Sequence, residues 1–201
     1  MTGTVTGLHS KHQPVAAILA VILATSLQAA QASTAQRTDP ELRRVLLAAI
    51  EDSESFTDPF EAEVWLMDMS RRLSRRLPDP RERIELLRLI HQEATRAGLP
   101  PELVLAVIEV ESNFDRWAIS RSGAQGLMQV MPFWLDEIGH PEDNLHDPRT
   151  NLRLGCAILR YYLDMEEGDL PRALARYNGS LGSTRYSNRV LDALSRRWYR
   201  Q

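Results

Sequence analysis

Four Asp-Pro steps, Asp39-Pro40, Asp58-Pro59, Asp79-Pro80 and Asp147-Pro148, commit this chain to a helical architecture. Proline fits the first turn of a helix, where its missing N–H has no partner to lose. An aspartate just before it can cap the orphan N–H groups that follow. Between these steps apolar residues recur at three- and four-residue spacing, and no alternating run long enough for a strand appears. The pattern predicts helices over residues 40–50, from Thr57 or Asp58 to about Leu77, and over 80–97, ended by Gly98. Further helices are expected from Pro100-Pro101 to Glu111, over 127–138 with a bend at Pro132, and over 148–166, 170–177 and 184–199. Residues 113–126, with Ser120, Ser122, Gly123 and Gly126, read as an ordered loop. The expected fold class is therefore all-α, with at most a minor hairpin.

The chain has 201 residues, enough for one domain with a sizeable core and a small extension. Lys11 and His12 precede an apolar run from Val15 to Leu27, and Ala30-Gln31-Ala32 follows. A basic start, a short apolar core and a small-x-small end predict a cleaved export signal over residues 1–32, hence a periplasmic protein. The run is shorter than the ~20 residues that span a bilayer, which disfavours a retained anchor. The expected organisation is this signal, an N-terminal helical extension over 33–79 and a main domain over 80–201. Cys156 is the only cysteine, so intramolecular disulfides and cysteine-based metal sites are excluded.

Formal net charge is −3, which gives no reason to expect nucleic acid. The basic run Arg71-Arg72-Leu73-Ser74-Arg75-Arg76 shares its helix with a seam of Leu66, Met69, Leu73 and Leu77. That places the arginines on a solvated face, open at most to weak contact with an anionic polymer or lipid headgroup. His140 and His146 share a loop with Glu142, Asp143 and Asp147 at no familiar ligand spacing, and His91 stands alone on a helix, so no metal is expected. No phosphate-cradling glycine loop or nucleophile elbow is present, and no cofactor is implied.

Glu111 is the residue that stands out. Leu103, Val104, Val107, Ile108 and Val110 form an apolar stripe, and residue 111 continues it, four after Val107 and three after Ile108. Glu109 falls instead with Glu102, Leu105 and Ala106 on the side expected to be more exposed. A carboxyl group held on an apolar face loses hydration and its pKa rises, as a general acid near neutral pH requires. The alternative is a helix-end glutamate turned to solvent. Three helix ends, Glu111-Ser112, Gly126-Leu127-Met128-Gln129 and Tyr177-Asn178, bring an acid, two amides and a phenol. Converging on one cleft, these would suit a sugar polymer bearing hydroxyls and N-acetyl groups. Taken singly, each is equally well a cap or a turn.

Five segments in order resemble the signatures of the soluble lytic transglycosylases. They are Ala106-Val107-Ile108-x-Val110-Glu111-Ser112-x-Phe114; Ala118-x-Ser120-x-x-Gly123-Ala124-x-Gly126-Leu127-Met128-Gln129-Val130-Met131-Pro132; Asn151-x-x-x-Gly155-x-x-x-Leu159 with Tyr162-Leu163; Ala173-Leu174-Ala175-Arg176-Tyr177-Asn178-Gly179; and Tyr186-x-x-x-Val190. The resemblance runs from about residue 82 to the C-terminus and implies a lysozyme-like, mainly helical fold. It further implies cleavage of the bond between N-acetylmuramic acid and N-acetylglucosamine in peptidoglycan, with Glu111 as catalytic residue. Ser120 is expected to orient an N-acetyl group. Met128, Gln129, Tyr177 and Asn178 are expected in the cleft, with Tyr177 near Glu111 and helping to set its protonation state. The chain departs from the family pattern at Phe133-Trp134, where Thr-Ala is usual, and at Gly179-Ser180. The first departure adds an aromatic wall to the cleft or fills core. A hydrolytic, goose-type lysozyme and a silent peptidoglycan-binding module are the alternatives. Glycan strands are the expected partner, with a cell-envelope machine as a further one, and no stable membrane insertion is expected once the signal is gone.

Overall fold

In the computed structural model, residues 1, 55, 56 and 58–199 are described. The described helices all belong to the unit Glu41–Gln201. The expected helix at 40–50 and the export signal lie outside the described residues. So does the apolar run at 15–27; among the described residues no helix is long and apolar enough to cross a membrane.

Three Asp-Pro steps act as predicted. Asp58, Asp79 and Asp147 each accept a backbone N–H, from Phe60, Arg81 and Thr150, at 2.8–2.9 Å. They start α1 (Pro59–Leu73), α2 (Pro80–Arg96) and, later in the chain, α5 (Pro148–Met165). Pro101 opens α3 (Pro101–Glu111); α4 is the short Trp134–Ile138. Asp169 caps α6 (Leu170–Tyr177) through the N–H of Arg172. The last helix, α7 (Arg185–Ala193), passes into a π-helical turn, Leu194–Trp198.

The expected helix over 127–138 forms only at its end, as α4. Gln125 and Val130 instead exchange two backbone hydrogen bonds at 2.9 and 3.0 Å, and Gln129 takes a left-handed φ of 51°. This tight local pairing thus overrides a helical pattern that Pro132, lacking an N–H, already weakens. With the bridge between Ile119 and Gln125, these contacts make a small three-limbed loop rather than a sheet. The second expected helix also stops at Leu73, four residues short of Leu77.

α3 is the axis of the core. Leu103 to Ile108 are all 3% exposed or less, so this helix is enclosed on every side rather than striped. The expected exposure of Leu105, Ala106 and Glu109 is therefore wrong. α2, α7 and the terminal π turn all pack on α3, and α1 packs on α2 and the same turn. Trp198, fully buried, donates from Nε1 to Glu109 at 2.7 Å, and Arg76 and Arg197 pair with the same carboxylate. Trp65, Leu66, Met69 and Leu73 of α1 enter this common core, and Trp65 Nε1 donates to Glu102 at 2.8 Å. Buried Arg83 donates to the carbonyls of Leu77 and Pro78, which fixes the α1–α2 connection.

Candidate active site

Glu111 is the last residue of α3, and the chain reverses sharply after it. Asn113 and Phe114 both take left-handed φ, 51° and 69°. That is costly for a bulky residue, and burial of Phe114 against Trp198 offsets it, with ring centroids 5.6 Å apart. Ser112 donates its hydroxyl to the Leu127 carbonyl at 2.8 Å, stapling the helix end to the loop that follows.

The Glu111 carboxyl is largely buried. It accepts a hydrogen bond at 2.5 Å from the phenol of Tyr186, in the first turn of α7. Burial pushes its pKa up; the Tyr186 bond and the charge of Arg189 pull the other way without cancelling the rise. Burial first, then the Glu111 charge, holds the phenols of Tyr177 and Tyr186 well above their ordinary range. Both therefore stay protonated as donors. The Tyr177 hydroxyl donates to the Met128 carbonyl at 2.7 Å. The direct hydrogen bond to the acid comes from Tyr186. Tyr177 is still near enough for the Glu111 charge to act on it. Tyr186 was visible in the sequence as the start of the closing segment, but nothing local marks an exposed-looking first-turn tyrosine as a partner of residue 111.

The loop presents its groups selectively. Ser120 Oγ accepts the N–H groups of Ser122 and Ala124 at 3.2 and 3.0 Å, and its own hydrogen has no acceptor among the described residues. Gln129 Nε2 donates to the carbonyls of Ala118 and Gly126 at 3.1 and 3.0 Å, leaving Oε1 to accept. Met128 is a correction. Its side chain is fully buried against Gly155 and Cys156, so it packs the loop and offers no surface to a ligand. Asn178 caps α6 and is exposed.

Asn151 and Gly155 of α5 hold this loop. Asn151, 1% exposed, accepts from the Met128 N–H and donates to the carbonyls of Gln125 and Leu145, all at 2.8 Å. A Cβ on Gly155 would lie 2.5 Å from Met128 Sδ. Gly126, at φ 75°, has Asn151 and the Leu145 carbonyl where a Cβ would go. Through these residues the loop sits directly on α5. Of the departing pair, Trp134 packs edge-on to Tyr162, with centroids 6.4 Å apart, while Phe133 is 53% exposed. His91 stacks on Phe56 at 3.5 Å and bonds Ser55, and burial lowers its pKa to about 4. No cluster of metal-ligating side chains occurs among the described residues.

The family described as Transglycosylase SLT domain matches residues 88–195. Proteins named membrane-bound lytic murein transglycosylase C from Yersinia pestis and Yersinia pseudotuberculosis are 34% identical over 113 residues, covering 48% of this chain and 32% of theirs. The chain thus spans about a third of the length of these relatives. Among solved structures, an inactive mutant of lytic transglycosylase Slt from Pseudomonas aeruginosa aligns with 79% of this chain and 34% of its own, at 22% identity and a TM-score of 0.44. The 70 kDa soluble lytic transglycosylase of Escherichia coli aligns over 79% and 32%, at 18% identity and the same TM-score.

Proposed function

The chain belongs to the transglycosylase SLT domain family, and we propose that it is an exported enzyme cleaving the bond between N-acetylmuramic acid and N-acetylglucosamine in peptidoglycan. The observation that carries this reading is the buried Glu111 carboxyl, raised in pKa and held by the Tyr186 phenol at 2.5 Å. A carboxyl that holds its proton more tightly than an ordinary glutamate is suited to act as a general acid.

Glu111 donates its proton to the glycosidic oxygen, and the bond to C1 breaks. The positive charge that develops at C1 is met by the substrate's own N-acetyl oxygen. The Glu111 carboxylate then takes the proton of the C6 hydroxyl of the same muramic residue as that oxygen attacks C1. The product is a 1,6-anhydro ring, no water is consumed, and Glu111 ends protonated as it began. Ser120, with a free hydroxyl hydrogen, is suited to donate to an N-acetyl carbonyl. Gln129 Oε1 is suited to accept from a sugar hydroxyl or amide. Tyr186 steadies the acid in both protonation states.

Ordinary glycosidases use two carboxylates. The alternatives by residue type, Asp115, Asp136 and Glu137, are all exposed, and none contributes to the shift of Glu111. This favours the one-acid route over hydrolysis. The test is digestion of purified sacculi followed by mass spectrometry. Wild type is expected to release anhydro-ended muropeptides, and Glu111→Gln is expected to release none. Ends one water heavier would replace transglycosylation with hydrolysis. Clearing by the Gln variant at the wild-type rate would remove Glu111 from the chemistry altogether.

A further inference from the structure

The arginine run of α1 does not stand alone in the folded chain. Arg71, Arg72, Arg75 and Arg76 line one cavity of about 720 Å³ with Arg196 and Arg197 from the terminal π turn, more than a hundred residues away in sequence. Arg72 helps to join the two segments, donating to the carbonyl of Arg197 at 2.7 Å and of Tyr199 at 3.3 Å. Arg76 fixes the floor through Asn113 Oδ1 and Glu109, each at 2.8 Å. The cavity lies on the Glu109 side of α3. Glu111 leaves that helix about 200° further round, so this concavity is separate from the acid's site.

The charge of the cavity is only partly balanced. Asp68 pairs with Arg72 at 2.6 Å, Glu109 with Arg76 and Arg197 at 2.8 and 2.5 Å, and Asp192 with Arg196 at 2.6 Å. Three carboxylates thus face six guanidinium groups. Arg71 and Arg75, both exposed, have no acidic partner among the described residues. Six guanidinium groups against three carboxylates leave the concavity net positive, which favours the entry of anions. A guanidinium offers paired N–H donors matched to phosphate oxygens. Arg72, Arg76 and Arg197, already held by protein partners, give the cavity fixed walls, and the two free arginines supply mobile donors.

We propose that this cavity binds phosphate oxyanions, from a free phosphate compound or from a phospholipid headgroup, with Arg71 and Arg75 as its principal ligands. The test uses the full chain. Inorganic pyrophosphate is titrated by calorimetry at low salt. Co-sedimentation is measured with vesicles of equal parts phosphatidylglycerol and phosphatidylcholine, against phosphatidylcholine alone. The wild type is expected to bind at least one probe, and added salt to weaken that binding. The double variant Arg71→Gln/Arg75→Gln is expected to bind at least about tenfold more weakly, having lost two charge-assisted contacts. Circular dichroism and Tm establish that it is folded. Arg153→Gln, an exposed arginine on α5, serves as control and is expected to bind like wild type. Binding of pyrophosphate alone identifies a free phosphate compound; binding of the anionic vesicles identifies a headgroup. The proposal is overturned if the wild type binds neither probe. It is equally overturned if the double variant binds as wild type does, or if Arg153→Gln loses as much.

Discussion

At the scale of single residues, Glu111 carries two testable consequences. Its pKa is raised in the folded protein, so between its ordinary and its folded value the native state binds more protons than the unfolded state. Stability then falls as pH rises through that window and stays lower above it. Glu111→Gln, which cannot ionise, is expected to melt above wild type at pH 7 and to lose that advantage at about pH 4, near the ordinary value for a glutamate. Differential scanning calorimetry at the two pH values measures this; a variant less stable than wild type at both would contradict the buried-acid account. Tyr186→Phe removes the donor that stabilises the carboxylate. The Glu111 pKa is then expected to rise further, moving the alkaline limb of the pH–rate profile upward, with kcat falling about tenfold, as for the loss of one hydrogen bond to a charged group. Glu111 itself was singled out in the sequence because it sits in the first of five segments that occur in the family's order. Its contact with Tyr186 was not, because the two lie 75 residues apart and no periodicity links the end of one helix to the start of another.

At the scale of elements, the loop 113–130 and α5 form one working unit. Met128 and Gly155 are in contact, and Asn151 gathers three backbone groups of the loop and its neighbour. Gly155→Ala is expected to cost about 1–3 kcal/mol by overpacking. Because the displaced Met128 also carries the carbonyl that Tyr177 bonds, sacculus digestion is expected to slow as well. Urea unfolding together with digestion rates checks both. A normal midpoint would mean that α5 yields freely. The helix starts were readable from Asp and Pro alone, since capping is local chemistry. The 127–138 helix does not form over its first residues because the Gln125–Val130 turn takes them, and Asn151 of α5 holds that turn from a distance.

At the scale of the molecule, α1 is part of the core rather than an appendage. Trp65, Leu66, Met69 and Leu73 are each 3% exposed or less, and the α1–α2 connection is tied by Arg83. A chain truncated to begin at Pro80 would expose the surfaces these side chains cover. It is expected to lack a cooperative thermal transition by circular dichroism; a sharp melt near the full-length Tm would show that residues 80–201 suffice. The amino-acid sequence alone determined the helical class, most helix starts and the family. Each of these rests on near neighbours in the chain or on a run of residues in fixed order. Only the tertiary structure decided that Glu109 is enclosed, that Tyr186 bonds Glu111, that Met128 is core, and that a distant arginine pair joins the four arginines of α1 around one cavity. Those are contacts between segments far apart in sequence, set by how α3 is wrapped, and no local pattern encodes which side chains the wrapping brings together.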